Sequence, residues 1–176
     1  MTQRIILGID PGSRITGYGV VVVENHKNYY LTSGCIRLTS TDWLEKCEVL
    51  WDALQQVIQT HQPTEAAIER IFMHVNPASA LKLGQARGAA MAALAKHNLQ
   101  LFEYTARQVK QAVVGYGAAQ KSQVQQMVQV LLTLSGTPQA DASDALAVAL
   151  CHSHFARQPI IALPSVKRKR AARGIG

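Results

Sequence analysis

The sequence predicts a mixed α/β domain in which a five-stranded mixed sheet is flanked by helices. The chain opens with three consecutive β-rich runs, and two further β-rich runs each follow a segment whose apolar residues have helical spacing. Helical spacing also dominates the chain after the fifth run. The 176 residues, 48% of them hydrophobic, suit one domain with a substantial core and are too few for two.

The first predicted strand is Arg4–Asp10, an apolar run that ends in a Pro-Gly-Ser turn. Thr16–Glu24 and Asn28–Leu38 follow as the second and third strands, and short polar links favour antiparallel pairing among these three. Glu65–Phe72 and Gln100–Tyr104 complete the sheet. If the first and fourth strands are parallel neighbours, their carboxyl ends lie close together.

The helices are predicted between and after the last strands, at Asp42–Thr60, Pro77–His97, Arg107–Val114, Lys121–Leu134 and Ala140–Phe155. The second of them carries a stripe of small residues at every fourth position, formed by Ala80, Gly84, Gly88 and Ala92. Such a stripe lets another helix approach closely. That helix could belong to the same chain or to a second subunit, and from the residues alone we favour the same chain.

The positive charge is unevenly distributed along the chain. Five of the 18 basic residues lie between Lys167 and Arg173, which leaves 13 basic against 11 acidic residues in the rest of the chain. We therefore divide the chain into a domain over residues 1–158 and a basic tail over 159–176. Within the domain, residues 70–140 hold seven basic residues and one acidic residue, which indicates a positive face for a polyanion or a merely solvated basic surface.

Several classes of protein are disfavoured by composition. No apolar run approaches the roughly 20 residues that span a bilayer, and the N-terminal residues lack the apolar core and cleavage site of a signal peptide. The three cysteines are odd in number and widely spread, which favours reduced thiols over a disulfide scaffold. We therefore expect a cytoplasmic protein with no membrane partner.

Two acidic residues stand in predicted strands. Asp10 closes the first strand, where an aspartate before Pro-Gly could also simply cap the turn. Glu69 lies inside the apolar run of the fourth strand, on the same face as Ala67. A carboxylate there must find a partner, because its desolvation is unfavourable. The partner could be a basic side chain in an ordinary salt bridge, or a metal ion.

Asp141 and Asp144 begin the last helix and share one face of it with Ala145, Val148 and His152. The helix dipole favours acidic residues in a first turn by roughly 0.3–1 kcal/mol each. That effect explains either aspartate alone. It explains less well two aspartates on a stripe that otherwise faces the core, because like charges at this spacing repel unless a cation lies between them.

Together the four carboxylates predict a site for hard divalent cations, which prefer oxygen ligands. Two such ions can activate a water and stabilise the leaving oxygen of a phosphodiester. The residues alone therefore favour a metal nuclease. His152 and His154 are poor joint ligands, since they point to different faces of a helix. The glycines near the N-terminus do not form a dinucleotide fingerprint, because strand residues rather than a helix follow them.

Five blocks of the sequence, taken together and in this order, resemble the bacterial RuvC family of Holliday-junction resolvases. They are GIDPGSRITGYGV, AIERIF, SALKLGQARG, FEYTARQVKQAVVGYGAAQKSQVQ and QADASDALAVAL, and they fall within residues 4–155. The resemblance implies an RNase H-like fold and a homodimer that cuts four-way DNA junctions by two symmetric nicks, leaving 5′-phosphate and 3′-hydroxyl ends. It further implies two Mg²⁺ ions per subunit, with Mn²⁺ as a substitute, and the RuvA–RuvB branch-migration complex as a partner.

The resemblance also assigns roles to residues. The family's four metal-binding acids fall on Asp10, Glu69, Asp141 and Asp144, the last of which is histidine in some relatives. Its two catalytic lysines near the scissile phosphate fall on Lys110 and Lys121, and its base-stacking aromatic falls on Phe72. Without the resemblance these lysines would be ordinary surface residues and Phe72 a core residue. The small-residue stripe becomes part of a subunit interface.

Further DNA contacts are expected from basic residues of the turn after the first strand and of the positive middle segment, namely Arg14, Lys82, Arg87 and Arg107. Two other functions fit some of the same features. The Asp-Pro-Gly-Ser turn resembles the phosphate loop of the actin and sugar-kinase ATPases, although 176 residues leave no room for their second half. A junction-binding architectural protein would need no cluster of acids. Junction cleavage with and without Mg²⁺ separates these possibilities.

Overall fold

A five-stranded sheet forms the centre of the molecule. The computed structural model describes residues 3–70 and 76–155. The strands are β1 (Arg4–Asp10), β2 (Ile15–Glu24), β3 (Lys27–Arg37), β4 (Glu65–Glu69) and β5 (Gln100–Tyr104), and they lie side by side in the order β3-β2-β1-β4-β5. The predicted mixed sheet is confirmed, with strand boundaries shifted by one residue at most except at the end of β4.

The pairing of the strands brings two of the predicted acids to one edge. β1, β2 and β3 pair antiparallel, whereas β1 pairs parallel with β4 and β4 with β5. Ile9 lies opposite Ile68 in the β1–β4 register, so the next residues, Asp10 and Glu69, both stand at the carboxyl ends of their strands. The expected meeting of the first and fourth strands is therefore confirmed.

Five helices cover the sheet, namely α1 (Trp43–His61), α2 (Pro77–Lys96), α3 (Ala106–Val114), α4 (Lys121–Leu131) and α5 (Ala140–Phe155). α4 was expected to reach Leu134, but it ends three residues earlier, and Thr133 has a φ of 52° that a right-handed helix does not allow. β4 was expected to continue to Phe72; it ends at Glu69, and Phe72 lies outside the described residues. Within the described residues, no helix is long and apolar enough to cross a membrane.

The sheet separates two apolar cores because alternate side chains of β1 point to opposite faces. Leu7 and Ile9 pack on one face with residues of α1 and α2, and Ile6 packs on the other with residues of α3, α4 and α5. The face predicted for Glu69 is confirmed, since Ala67 belongs to the same core as α5. All six residues from Ala145 to Leu150 are fully buried, so α5 is buried all round rather than along one stripe.

Within residues 3–70 and 76–155, the small-residue stripe of α2 is largely exposed. Gly84, Gly88 and Ala92 are exposed, and a Cβ added at either glycine would meet no atom within 4 Å. The helix packs instead on α1 through its opposite side, with Ala86, Ala90, Ala93 and Leu94 buried. For the described residues, the expectation that this stripe contacts a helix of the same chain is wrong. The face of α2 that packs in the core is formed instead by the larger Leu94 and the alanines beside it.

Glycines in β1 and β2 allow α5 to lie directly on the sheet. A Cβ at Gly8 would overlap the backbone oxygen of Ala145, and one at Gly17 would overlap that of Asp141. A Cβ at Gly19 would come within 2.7 Å of the Leu146 side chain. Glycine is required at these positions by the closeness of the helix backbone. The first two turns of α5 are thereby held against the strands that carry the site.

We predict that Gly8→Ala destabilises the protein by about 1–3 kcal/mol, because an added methyl group in a filled interior forces the backbone to shift. Equilibrium denaturant unfolding measures this change. Gly136→Ala is the matched control, since Gly136 is exposed and has open space around its Cβ position. That control should stay within about 0.5 kcal/mol of the parent. Equal midpoints for the two variants would contradict the close approach of α5.

Candidate active site

A cavity of about 320 Å³ opens at the carboxyl ends of β1 and β4. Its acidic wall comes from three separate elements: Asp10 ends β1, Glu69 ends β4, and Asp144 lies in the first turns of α5. Its other walls come from α3 and α4, including Lys110 and Lys121. The structure thus brings together three of the four predicted acids and both predicted lysines.

Asp10 is the most perturbed acid of the cavity. Burial first, and then the negative charges of Asp144 and Glu69, raise the pKa of its carboxyl to about 7, while Lys121 opposes them. The expected turn-capping role does not account for this environment. The carboxyl is desolvated among like charges, and a bound cation would favour its ionised form.

Glu69 is held in place through its backbone. Its carbonyl oxygen accepts a hydrogen bond of 2.6 Å from Arg87 of α2, and the same guanidinium forms an ion pair of 2.7 Å with Glu103. Burial raises the pKa of the Glu69 carboxyl, and Asp144 adds to that effect, whereas Lys121 and Lys110 lower it. No ion pair among residues 3–70 and 76–155 involves this carboxylate, so the alternative of an ordinary salt bridge is not what the structure contains.

Lys121 supplies positive charge at the site. Its ammonium lies 2.5 Å from a carboxylate oxygen of Asp144, and this hydrogen bond raises the pKa of the lysine. The lysine side chain is 60% exposed while that of Asp144 is 19% exposed, so the pair stands at the mouth of the cavity. Lys110 is half-buried in the wall, close enough to affect the carboxyl of Glu69.

Asp141 occupies a different position. It does not line the cavity, although its charge contributes to raising the pKa of Asp10. As the side chains lie, the described part of the chain contains no group of three His, Cys, Asp or Glu residues spaced to enclose a metal ion. Lys121 meanwhile neutralises Asp144. Asp10, Glu69 and Asp144 are the residues that could hold a cation, with Asp141 at the periphery.

The four basic residues predicted to contact DNA do not line the cavity. Arg14, Lys82 and Arg107 are exposed, on the β1–β2 turn, α2 and α3 respectively. Arg87 differs from them, because its side chain is only 14% exposed and is engaged with Glu103 and Glu69. Phe72 lies outside the described residues.

Two supports of the site were not anticipated from the sequence. Gly17 pairs with Asp10 across the β1–β2 ladder and lies beneath the backbone of Asp141. This glycine therefore sets the distance between the strand that carries Asp10 and the helix that carries Asp141. Its signal was present, since a glycine inside a β-branched strand often marks a close backbone approach. The contact of Arg87 with the Glu69 carbonyl had no sequence signal, because it joins residues 18 positions apart on two elements.

We predict that Asp10→Asn stabilises the metal-free protein at high pH. The pKa of Asp10 is about 4 in the unfolded chain and about 7 in the folded protein. The stability that this carboxyl contributes is therefore fully present below about pH 4 and is lost as the pH rises through about 7. At pH 8 the variant should therefore exceed the parent by on the order of 1–4 kcal/mol, and near pH 4 the two should converge. Chemical denaturation in EDTA at several pH values measures the difference.

The control for this measurement is Asp52→Asn on the exposed side of α1. It should change the free energy of unfolding by less than about 0.5 kcal/mol at every pH. A pH profile of Asp10→Asn that runs parallel to that of the parent would show that the carboxyl is not strained in the metal-free cavity.

Comparisons of the sequence and of the structure with known proteins identify relatives that share one description. The family model described as crossover junction endodeoxyribonuclease RuvC matches residues 6–152. The crossover junction endodeoxyribonuclease RuvC of Francisella tularensis subsp. novicida is 58% identical over 153 residues, covering 87% of this chain and 90% of that protein. The Thermus thermophilus RuvC structure matches with a TM-score of 0.80 and 33% identity, covering 87% of this chain and 95% of that one.

A second Thermus thermophilus RuvC structure, in complex with a Holliday junction substrate, matches with a TM-score of 0.82 and 33% identity over 88% of this chain and 95% of that one. The agreement covers the strands that carry Asp10 and Glu69 and the helix that carries Asp141 and Asp144. The expected RNase H-like fold is confirmed by this match. The chain belongs to the RuvC family of crossover junction endodeoxyribonucleases.

Proposed function

We propose that this chain resolves four-way DNA junctions by metal-dependent hydrolysis of phosphodiester bonds, in DNA recombination and repair. The observation that carries the proposal is the convergence of Asp10, Glu69 and Asp144 from three elements into one cavity that Lys110 and Lys121 also line. Membership of the RuvC family gives that cavity its reaction class. A related protein has been solved on a Holliday junction, which supports the same substrate here.

The acids fit a divalent cation by their chemistry and by their charge. They offer only oxygen ligands, which Mg²⁺ prefers, and the raised pKa of Asp10 reflects burial and neighbouring negative charge that Lys121 only partly offsets. Asp10 would be shared between two ions, with Glu69 on one side and Asp144 or Asp141 on the other. When bound, Mg²⁺, or Mn²⁺ in its place, supplies activation of a water and stabilisation of the leaving 3′ oxygen.

The lysines act on the phosphate. Lys121 pairs with Asp144, and its exposed ammonium at the mouth of the cavity would also be within reach of a substrate phosphate. Lys110 is fixed in the wall by its place on α3, one helical turn beyond Arg107. Either ammonium would offset the charge that develops on the phosphate during hydrolysis. The partial burial of the acids strengthens these interactions, because charges interact more strongly where the effective dielectric constant is lower than in bulk water.

The exposed face of α2 suits a subunit interface. In the described part of the chain its small-residue stripe is largely exposed, and Leu81 is 66% exposed beside it. We propose that this face joins two copies into a homodimer, whose two-fold symmetry would place one cavity over each of two opposed strands of a junction. The RuvA–RuvB branch-migration complex is the partner that the family implies, and bacterial cytoplasm is where such DNA lies.

DNA contacts outside the cavity remain assigned to exposed basic side chains. Arg14 follows β1, and Lys82 and Arg107 project from α2 and α3. Phe72, three residues beyond Glu69 in the sequence, would stack on an unpaired base of the junction. The basic tail of residues 159–176 would add salt-dependent, sequence-independent affinity.

We predict that Asp10→Asn lowers the single-turnover rate of junction cleavage by at least about 100-fold, because it removes the carboxylate shared by both ions. Junction binding, measured by gel shift in EDTA, should change less than about twofold, since the amide keeps the shape of the side chain. Asp52→Asn is the control and should cleave like the parent. Cleavage by Asp10→Asn at the parent's rate, or cleavage by the parent in EDTA, would contradict the proposed mechanism.

Arg87→Ala distinguishes two roles for Arg87. The side chain of Arg87 is largely buried and contacts Glu69 and Glu103, which favours a role in holding Glu69 in position. We therefore predict that Arg87→Ala lowers the cleavage rate about tenfold and leaves the salt dependence of junction binding unchanged. A phosphate contact would instead reduce the slope of log affinity against log salt by about one. Lys82→Ala, exposed on the same helix, is the matched control and should change the slope but not the rate on bound junction.

A further inference from the structure

A chain of polar contacts lies on the α5 side of the sheet, away from the cavity. The Tyr104 hydroxyl is 2.7 Å from Nδ1 of His152, and Nε2 of His152 is 2.5 Å from Glu65. Glu65 accepts two hydrogen bonds from Arg4, of 2.7 and 2.6 Å. His152 is fully buried, and Phe102 stacks on its ring with centroids 4.2 Å apart. Every polar atom of the imidazole therefore has a partner.

The hydrogen bonds of this chain converge on Glu65 from both ends. Burial raises the pKa of Tyr104 to about 12, so its hydroxyl remains a donor. The hydrogen bond from Arg4 lowers the pKa of Glu65, which keeps it an ionised acceptor. Burial lowers the pKa of His152, and a neutral ring with its proton on Nε2 satisfies both neighbours. No member competes with another for a proton, so the chain fixes one geometry.

The chain joins the far ends of the same elements that carry the acids. Glu65 begins β4 and Glu69 ends it, on the same face and about 13 Å apart at the rise of a strand. His152 is eight residues beyond Asp144 on α5, about 12 Å at the rise of a helix. α5 therefore meets β4 at two points: His152 contacts Glu65, and Asp144 shares the cavity with Glu69. The separation of these two points along the helix matches their separation along the strand.

β1 repeats this arrangement, whereas β5 joins the polar chain at the end of the sheet where Glu69 lies. Arg4 begins β1, which Asp10 ends, and Tyr104 ends β5 directly opposite Glu69 in the β4–β5 ladder. The backbone carbonyl of Tyr104 also accepts a hydrogen bond of 2.7 Å from Arg70, the residue after Glu69. The three acids of the cavity thus stand on β1, β4 and α5. The Arg4–Glu65–His152–Tyr104 chain links these three elements to one another and to β5.

We propose that His152 is a positioning residue for the metal site, which fixes the axial position and rotation of α5 relative to β4 and β1. It touches neither substrate nor metal ligand, and it acts through the placement of Asp144 against Glu69 and Asp10. The proposal rests on the metal-binding role of these acids in the proposed function. Supporting contacts of this kind affect metal affinity, which core packing alone need not affect.

The test uses the full-length protein and its metal affinity. Mn²⁺ binding to the DNA-free protein is followed by the electron paramagnetic resonance of free Mn²⁺, and single-turnover junction cleavage is titrated with Mg²⁺. His152→Phe keeps the stack on Phe102 and removes both polar contacts. It should weaken Mn²⁺ binding and raise the Mg²⁺ concentration for half-maximal cleavage by about 10- to 100-fold. Junction affinity in EDTA should stay within twofold of the parent.

Two further variants separate positioning from stability. Leu150→Ala removes a fully buried side chain of the same helix without touching the polar chain. It should lower the thermal midpoint at least as much as His152→Phe, yet leave the Mg²⁺ midpoint within twofold at 25 °C. His152→Gln keeps a donor for Glu65 and should recover part of the metal affinity. A shift by Leu150→Ala equal to that of His152→Phe would overturn the proposal.

If His152→Phe fails to fold, Tyr104→Phe deletes one hydroxyl from the same chain and should raise the Mg²⁺ midpoint by at least threefold. Wild-type metal dependence in that variant, or in a folded His152→Phe, would overturn the positioning role. Asp10→Asn identifies the other kind of failure. If it loses Mn²⁺ binding while the His152 and Tyr104 variants keep it, only positioning fails; if it binds Mn²⁺ like the parent, the metal site itself fails.

Discussion

The contact of α5 with the sheet is the constraint on which the site depends. Two glycines let the helix backbone approach so closely that Ala145 and Asp141 lie against β1 and β2 with no side chain between them. A helix at the usual side-chain distance of about 10 Å would carry its aspartates away from the strand ends. The acids can share a cavity only because the strands have glycines, and so no side chains, where α5 crosses the sheet.

That geometry imposes an electrostatic cost on the protein. Asp10, Glu69 and Asp144 are held near one another in a partly desolvated cavity, and the pKa values of Asp10 and Glu69 rise as a result. Lys121 relieves part of the repulsion by pairing with Asp144. The fold therefore holds these carboxylates close together against their mutual repulsion, and perturbed pKa values of this kind are typical of functional sites.

Much of the fold and of the site could be predicted from the sequence. Periodicity placed all ten described elements, and the placement of Glu69 on the α5 side followed from alternation in its strand. The face of α2 could not be predicted, because alanines and glycines surround the helix and give no clear apolar side. The role of Arg87 was also hidden, since both of its partners lie on other elements. Local pattern indicates elements, whereas pairing between distant side chains depends on tertiary packing.

The position of Asp141 shows the limit of arguing from spacing. It shares a helical face with Asp144 in the sequence, and both were expected at one site. Only Asp144 lines the cavity, because the first turn of α5 lies over Gly17 of β2 rather than over β4.

The shortness of β4 has a consequence for how this protein can evolve. The strand has five residues, with Glu65 in the buried polar chain at its start and Glu69 in the cavity at its end. Because side chains alternate between the faces of a strand, inserting or deleting one residue between them would turn one carboxylate toward α1 and α2. The length of this segment should therefore be invariant among functional descendants, even where its three middle residues change. The number of residues in this segment sets the distance between the buried polar chain and the cavity.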